Sequence, residues 1–242
     1  MICASDDAGT NCKDCTCMFN PVVVIATHER REITTLNINL LKQQKEVPKI
    51  VIVCSLQEEL EYYKQFQVTV IIAPNRPLGR KWHMGVNTAK MMGANPLIIL
   101  GSDDLLEKDY IYNALMKFKE GYEFVGTTAW YSFDVKRDKL YESKYINRNE
   151  NYPIGSGKVY SKGILDKIRW KVFDQAADRK LDDQGQRLIN GHGCKTFLIK
   201  EPCILAVKGG WGELNPIEKY MNAPNIKSTL TDKSILNRFG YV

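Results

Sequence analysis

Between residues 21 and about 120 the chain alternates short aliphatic runs with stretches whose apolar residues recur every three or four positions. That alternation constrains the fold more than any other feature of the sequence. Residues 21–26 (PVVVIA), 49–54 (KIVIVC) and 68–73 (VTVIIA) read as strands, the first of them buried, and 96–100 (PLIIL), too short for a helix and lacking polar alternation, reads as a strand buried on both faces. Between them, Ile33, Leu36, Leu40 and Leu41, then Leu56, Leu60 and Tyr63, then Trp82, Val86, Ala89 and Met92 mark the inner faces of three helices. Ser55, three residues before Glu58, makes a capping box for the second, and Gly93 closes the third. Short connections repeating strand, helix and strand imply right-handed βαβ units, hence an α/β fold with a mostly parallel central sheet flanked by helices.

Beyond residue 110 the rhythm loosens. Ile111, Ala114, Leu115 and Phe118 mark one more helix, and residues 123–126 another short strand. Residues 129–145 alternate aromatic and charged side chains as a polar hairpin does, and a glycine-rich bend at residues 153–158 precedes helices around 164–170 and 182–190. More strand falls between Cys194 and Val207, and from Gly209 onward the sequence is dotted with Gly, Pro and Asn. With no internal repeat, residues 21–242 read as a single domain, a nucleotide-handling half (21–126) followed by a ligand-facing half (127–242). Residues 1–20 read as a flexible tail. Its Cys12-x-x-Cys15-x-Cys17, with Cys3 nearby, lacks the second half of a zinc knuckle.

Composition narrows the class of partner. No apolar run approaches the roughly 18 residues of a membrane span, and the N-terminus lacks a charged start followed by an apolar core, so a cytoplasmic protein is expected. A formal charge of +6 suits anionic ligands such as nucleotides but is too weak to imply nucleic acid. The buried run at 96–100 ends in Gly101-Ser102-Asp103-Asp104. Ligands of open α/β sheets collect beyond the carboxyl ends of strands, so two acids there are placed to hold a divalent cation and, through it, a phosphate; they can equally form a turn or a helix cap.

In their order and spacing, these pieces resemble a glycosyltransferase of the family 2 type with the GT-A fold, over residues 21 to about 207. The resemblance is carried by the strand end Ala26-Thr27-His28-Glu29-Arg30, by Asn75 with Gly85 and Ala89-Lys90 after it, by Ile98-Ile99-Leu100-Gly101-Ser102-Asp103-Asp104, and by Leu181-Asp182-Asp183 with Arg187 downstream. It implies that Thr27, Glu29 and Arg30 contact a nucleotide-sugar donor, with Ser55, Asn75, Ser102 and Asp103 alongside and Arg80 or Lys81 reaching the diphosphate. It further implies that Asp104 holds Mg²⁺ or Mn²⁺, that Asp183 is the catalytic base with Asp182 orienting the site, and that Trp130, Tyr131 and Trp211 stack on an acceptor sugar. Lys208 and His192 fall near the place of a last metal or phosphate ligand.

Two positions depart from the family. Gly101 stands where the first acid of Asp-x-Asp-Asp is usual, and Ser55 stands where many members have a base-reading acid. The expected activity is transfer of a sugar, with inversion, from a nucleotide sugar, UDP being the commonest donor nucleotide in the family. The acceptor is a hydroxyl of a glycan, a lipid-linked intermediate, a protein or a modified nucleobase. A nucleotidyltransferase making nucleotide sugars, or a non-catalytic module keeping the nucleotide pocket, are the alternatives.

Overall fold

The computed structural model describes residues 16, 18–144, 152–181, 183–209 and 226–241, and of residues 226–229 the backbone only. The chain opens as the sequence predicts: β1 (Val22–Ala26), α1 (Arg31–Leu41), β2 (Lys49–Cys54), α2 (Gln57–Lys64), β3 (Thr69–Ile72), α3 (Leu78–Met91) and β4 (Leu97–Gly101). β3, β2, β1 and β4 lie side by side in that order, all parallel. Both faces of β1 are covered, so its side chains alternate between cores. Val23 and Ile25 pack with Ile38 and Leu41 of α1 and Tyr63 of α2, whereas Val22 and Val24 pack with Val86 and Ala89 of α3. Gly85 makes the second contact close. A Cβ there would come within 2.5 Å of Val24 Cγ1 and 2.7 Å of Val53 Cγ2, so α3 lies nearer the sheet than any other residue at that position allows.

The Asp pair then does something the sequence did not announce. β5 (Asp104–Leu106) begins at the second acid and belongs to another sheet, so Ser102 and Asp103 are the passage from one sheet to the other. α4 (Tyr110–Lys119), β6 (Phe124–Thr127), β7 (Ala129–Asp134), β8 (Lys139–Lys144), β9 (Lys158–Tyr160), α5 (Lys162–Lys167), α6 (Asp183–Gly191), β10 (Thr196–Ile199), β11 (Ile204–Lys208) and β12 (Ile226–Leu230) follow, with a 3-10 helix at Lys233–Phe239. β9 inserts antiparallel between β4 and β6, and β10 runs parallel to β6, giving a mostly parallel seven-stranded sheet in the order β10-β6-β9-β4-β1-β2-β3. The second sheet has five strands, β12-β8-β7-β11-β5.

The expected division at residue 126 does not coincide with the sheets. β9 and β10 complete the first sheet from the later part of the chain, and β5 enters the second from the earlier part. The hairpin at 129–145 exists as β7–β8 but is not polar. All six residues of β7 are buried, because β7 lies between β8 and β11 and sends Tyr131 and Phe133 into a third core with Ile33, Leu236 and Phe239. The late segment likewise supplies β12 and the 3-10 helix rather than loop alone. α1 serves two cores, Ile38 and Leu41 facing the first sheet and Ile33, Leu36 and Leu40 the third core, so it couples the two layers. Among the described residues no helix is long and apolar enough to cross a membrane.

Candidate functional site

The carboxyl ends of β1, β2 and β3 are tied together by one side chain. Lys81, in the first turn of α3, is almost wholly buried. Its Nζ donates to the Thr27 carbonyl at 2.5 Å, to Ser55 Oγ at 2.5 Å and to Asn75 Oδ1 at 3.2 Å. Burial lowers its ammonium pKa to about 8, partly opposed by the Glu59 carboxylate. Glu59 is fully buried and accepts the backbone N–H groups of Glu29 (2.7 Å) and Ser55 (3.2 Å), which fixes the loops after β1 and β2 against each other. It also holds Glu29 in a left-handed backbone conformation, φ 55°, with the side chain exposed. Thr27 is buried, its hydroxyl paired with that of Thr34 at 2.9 Å.

This arrangement corrects the capping box. Ser55 does not cap α2, whose N-cap is Leu56; its hydroxyl serves Lys81, and its N–H is taken by Glu59 rather than Glu58. The correction has a simple cause, since a buried ammonium takes any nearby hydroxyl as an acceptor before a helix end that solvent can satisfy.

Beyond β4 the acids part company. Asp103 is buried, with Oδ2 at 2.6 Å from Lys208 Nζ and Oδ1 at 3.4 Å from Arg30. Burial works to raise its pKa, but Lys208 and Arg30 outweigh it and hold the carboxyl below its ordinary value. Arg30 also donates to Ser102 Oγ at 3.2 Å. Lys208 comes from the end of β11, whose Val207 N–H bonds the Asp103 carbonyl at 2.8 Å. Asp104 turns the other way, over Gly101. A Cβ at 101 would lie 2.2 Å from Asp104 Oδ2, so any side chain at the position of the missing first acid would require the Asp104 carboxylate to swing aside. Burial and the neighbouring Asp103 charge raise the Asp104 pKa, and Ser156, whose Oγ also accepts the Gly101 N–H at 2.9 Å, moderates the rise. Asn37 of α1 clamps the passage from beneath by donating to the carbonyls of Gly101 (3.1 Å) and Asp104 (3.0 Å).

The Mg²⁺ or Mn²⁺ expected on Asp104 would take that carboxylate as its protein ligand and complete its shell with donor phosphate oxygens and water, as Mg²⁺ commonly does. Among the described residues no three His, Cys, Asp or Glu side chains gather as a metal site. The neighbouring acid is already held by two cations.

Asp183 opens α6 and accepts a hydrogen bond from the Tyr152 hydroxyl at 2.5 Å through Oδ1. Residues 152–157 thus connect the two acidic positions, Tyr152 at Asp183 and Ser156 at Asp104. α6 itself is seated by Gly185, where a Cβ would lie 2.5 Å from the Val172 carbonyl oxygen.

The structure therefore brings Thr27, Arg30, Ser55, Asn75, Lys81, Ser102, Asp103 and Asp104 together at one sheet edge, with the exposed Glu29 on the same loop. It leaves Arg80 exposed on the outer side of α3. Trp130 and Tyr131 are not stacking platforms. Both are buried, Trp130 in the core shared by α1 and α4 with its indole N–H on Ser132, and Tyr131 against Phe239. Trp211, Asp182 and the cysteines of the tail lie outside the described residues, and His192 is exposed after α6. Glu59, Asn37, Tyr152 and Ser156 were missed. Asn37 alone left a trace, as a polar residue on the inward face of α1.

No family model matches the chain, and no curated protein does. Solved structures do. The crystal structure of S. aureus TarS, a GT-A glycosyltransferase, superposes with a TM-score of 0.59 at 13% identity, over 78% of this chain and 36% of that one. Residues 1–349 of S. aureus TarS in complex with UDP give 0.57 at 13% identity, over 78% of this chain and 60% of that one. The chain spans less than two thirds of either. At this identity the likeness is one of fold, and the fold is GT-A-like.

Proposed function

We propose that this GT-A-like chain is an inverting glycosyltransferase that takes a nucleotide-sugar donor at the carboxyl ends of β1 to β4 and passes the sugar to an acceptor hydroxyl. The observation that supports it most is the fixed polar floor that Lys81 builds from three strand ends, continued by Arg30 and Lys208 at Asp103. Anionic ligands of open α/β sheets settle at such a strand edge. The UDP bound to the TarS fragment makes a UDP-sugar the first donor to try.

The chemistry assigned to Asp183 follows from what the step needs. A sugar hydroxyl is a weak nucleophile near neutral pH, so a carboxylate within reach must take its proton as the oxygen attacks the anomeric carbon. The bond from that carbon to the diphosphate oxygen breaks with its electron pair on the leaving nucleoside diphosphate. A single displacement inverts the centre. Tyr152 donates to Oδ1 of Asp183, which in this reading leaves Oδ2 to take the acceptor proton. Asp182 and Trp211 stay with this proposal as orienting and acceptor-side residues.

A panel of UDP-, GDP-, ADP- and CMP-sugars, each incubated with the protein and a mixture of sugar acceptors, tests the reading by chromatography of the nucleotide product. Free nucleotide together with glycosylated acceptor is expected. Pyrophosphate formed from a nucleoside triphosphate and a sugar phosphate, with no transfer from any donor, would replace the reading with nucleotidyl transfer.

A further inference from the structure

The Lys81 ammonium has three hydrogens, and each meets an acceptor of the chain: the Thr27 carbonyl after β1, Ser55 Oγ after β2 and Asn75 Oδ1 after β3. It keeps no donor for a ligand, but it decides what its neighbours present. An ammonium only donates, so the Asn75 amide turns its oxygen inward, to Lys81 at 3.2 Å and to the Ser55 hydroxyl at 3.4 Å. The amide nitrogen faces the other way. Among the described residues Nδ2 donates to no group, it is not a buried atom left unpaired, and Asn75 is only partly buried, so its hydrogens meet solvent. Asparagine reads adenine with both amide atoms, Nδ2 to a ring nitrogen and Oδ1 to the amino group. Here the oxygen is taken, and only the donor remains.

Position along the sheet edge says which part of a nucleotide sugar meets that donor. Asp183 is tied through Tyr152 and the bend to Ser156, which holds Gly101 at the end of β4. In the order β4-β1-β2-β3 the ends of β2 and β3 lie two and three strand spacings from there, roughly 10 to 14 Å. With the sugar beside Asp183, the far end of the donor, its base, falls at Asn75. We propose that Asn75, its amide locked by Lys81, reads the donor base by donating to it, so that the site takes a base with an exocyclic carbonyl oxygen, uracil, cytosine or guanine, and disfavours adenine. The exocyclic group of adenine is an amino group, which would set donor against donor. This rests on the nucleotide-sugar reading and deepens it.

Calorimetry on the full chain with UDP, CDP, GDP and ADP in Mn²⁺ buffer, for wild type and Asn75→Asp, tests the proposal. Aspartate keeps the size of the side chain and an oxygen on Lys81 but turns a second oxygen to the ligand, replacing the donor by an acceptor. Its added charge acts on all four nucleotides alike, so the ratio among them is the readout. Wild type is expected to bind at least one of UDP, CDP and GDP about 10-fold or more tighter than ADP, the range for a polar group left unpaired in a site built to bond it. Asn75→Asp should weaken the favoured ligand by about 10-fold or more, change ADP less, and so lose the preference. ADP bound by wild type as tightly as the other three would overturn the proposal and leave the nucleotide reading standing. A favoured ligand that binds Asn75→Asp undiminished would overturn it as well. No binding of any of the four to wild type would remove the nucleotide reading and the proposal together. The wild-type comparison needs no variant, so it decides the matter even where Asn75→Asp fails to fold.

Discussion

A buried lysine is the most informative single residue of this chain. Lys81 follows a proline-containing turn and reads in sequence as a cation for the diphosphate or a solvated turn residue, because spacing tells which helix face a residue occupies but not whether acceptors wait beneath it. The fold supplies three acceptors and a buried carboxylate nearby, and the ammonium stays inside with its pKa lowered to about 8. The consequence for stability has a definite sign. In the unfolded chain the group titrates near 10.5, so below pH 8 the folded protein carries the full cost of a confined charge, and between pH 8 and 10.5 the unfolded state holds more protons and stability rises with pH. The rise amounts to about 3 kcal/mol. Urea unfolding of wild type and Lys81→Met over this range checks it, since groups common to both cancel in the difference. The wild type should gain on the variant by roughly that amount across the window and hold a constant offset below it. A difference independent of pH would mean that Lys81 titrates as an ordinary lysine.

At the scale of elements, the strands and helices through β4 were legible because β1, β2 and β4 are aliphatic on both faces and buried, and β3, though it lies half-exposed at the sheet edge, keeps the same β-branched character. What lay beyond the Asp pair was less legible for a physical reason. A three-residue strand such as β5 carries too few side chains to show a period, and its one described partner, β11, arrives about 100 residues later. The aromatic and charged alternation of β7 and β8 suggested a polar hairpin because only the fold reveals β11 on one side and a core beneath. Gly85 was singled out from its spacing after Asn75, and the structure gives it a packing role as well. Gly85→Ala would drive a methyl group into Val24 and Val53 of β1 and β2. The expected cost is about 1–3 kcal/mol, seen as a lower urea midpoint with an unchanged m value. No change in midpoint would show that α3 can slide outward freely.

Over the whole molecule, two sheets are joined at Ser102 and Asp103, and a bend at residues 152–157 links that junction to the head of α6. The candidate donor floor was recoverable in outline from sequence, since Thr27, Arg30, Ser55, Asn75 and Asp103 sit just past strand ends. The partners of those residues were not, because Glu59, Tyr152 and Ser156 act through contacts 4 to about 55 positions away. On this account the donor floor and the base are separate devices, and a change to one should spare the other. The most direct test is to measure donor affinity and nucleotide release, with acceptor present, for wild type and Asp183→Asn side by side. The substitution keeps the shape and the helix-capping ability of the residue but removes the proton acceptor. The account predicts that release falls by about 10²-fold or more while affinity for the donor is unchanged. Near-normal transfer by Asp183→Asn would contradict it.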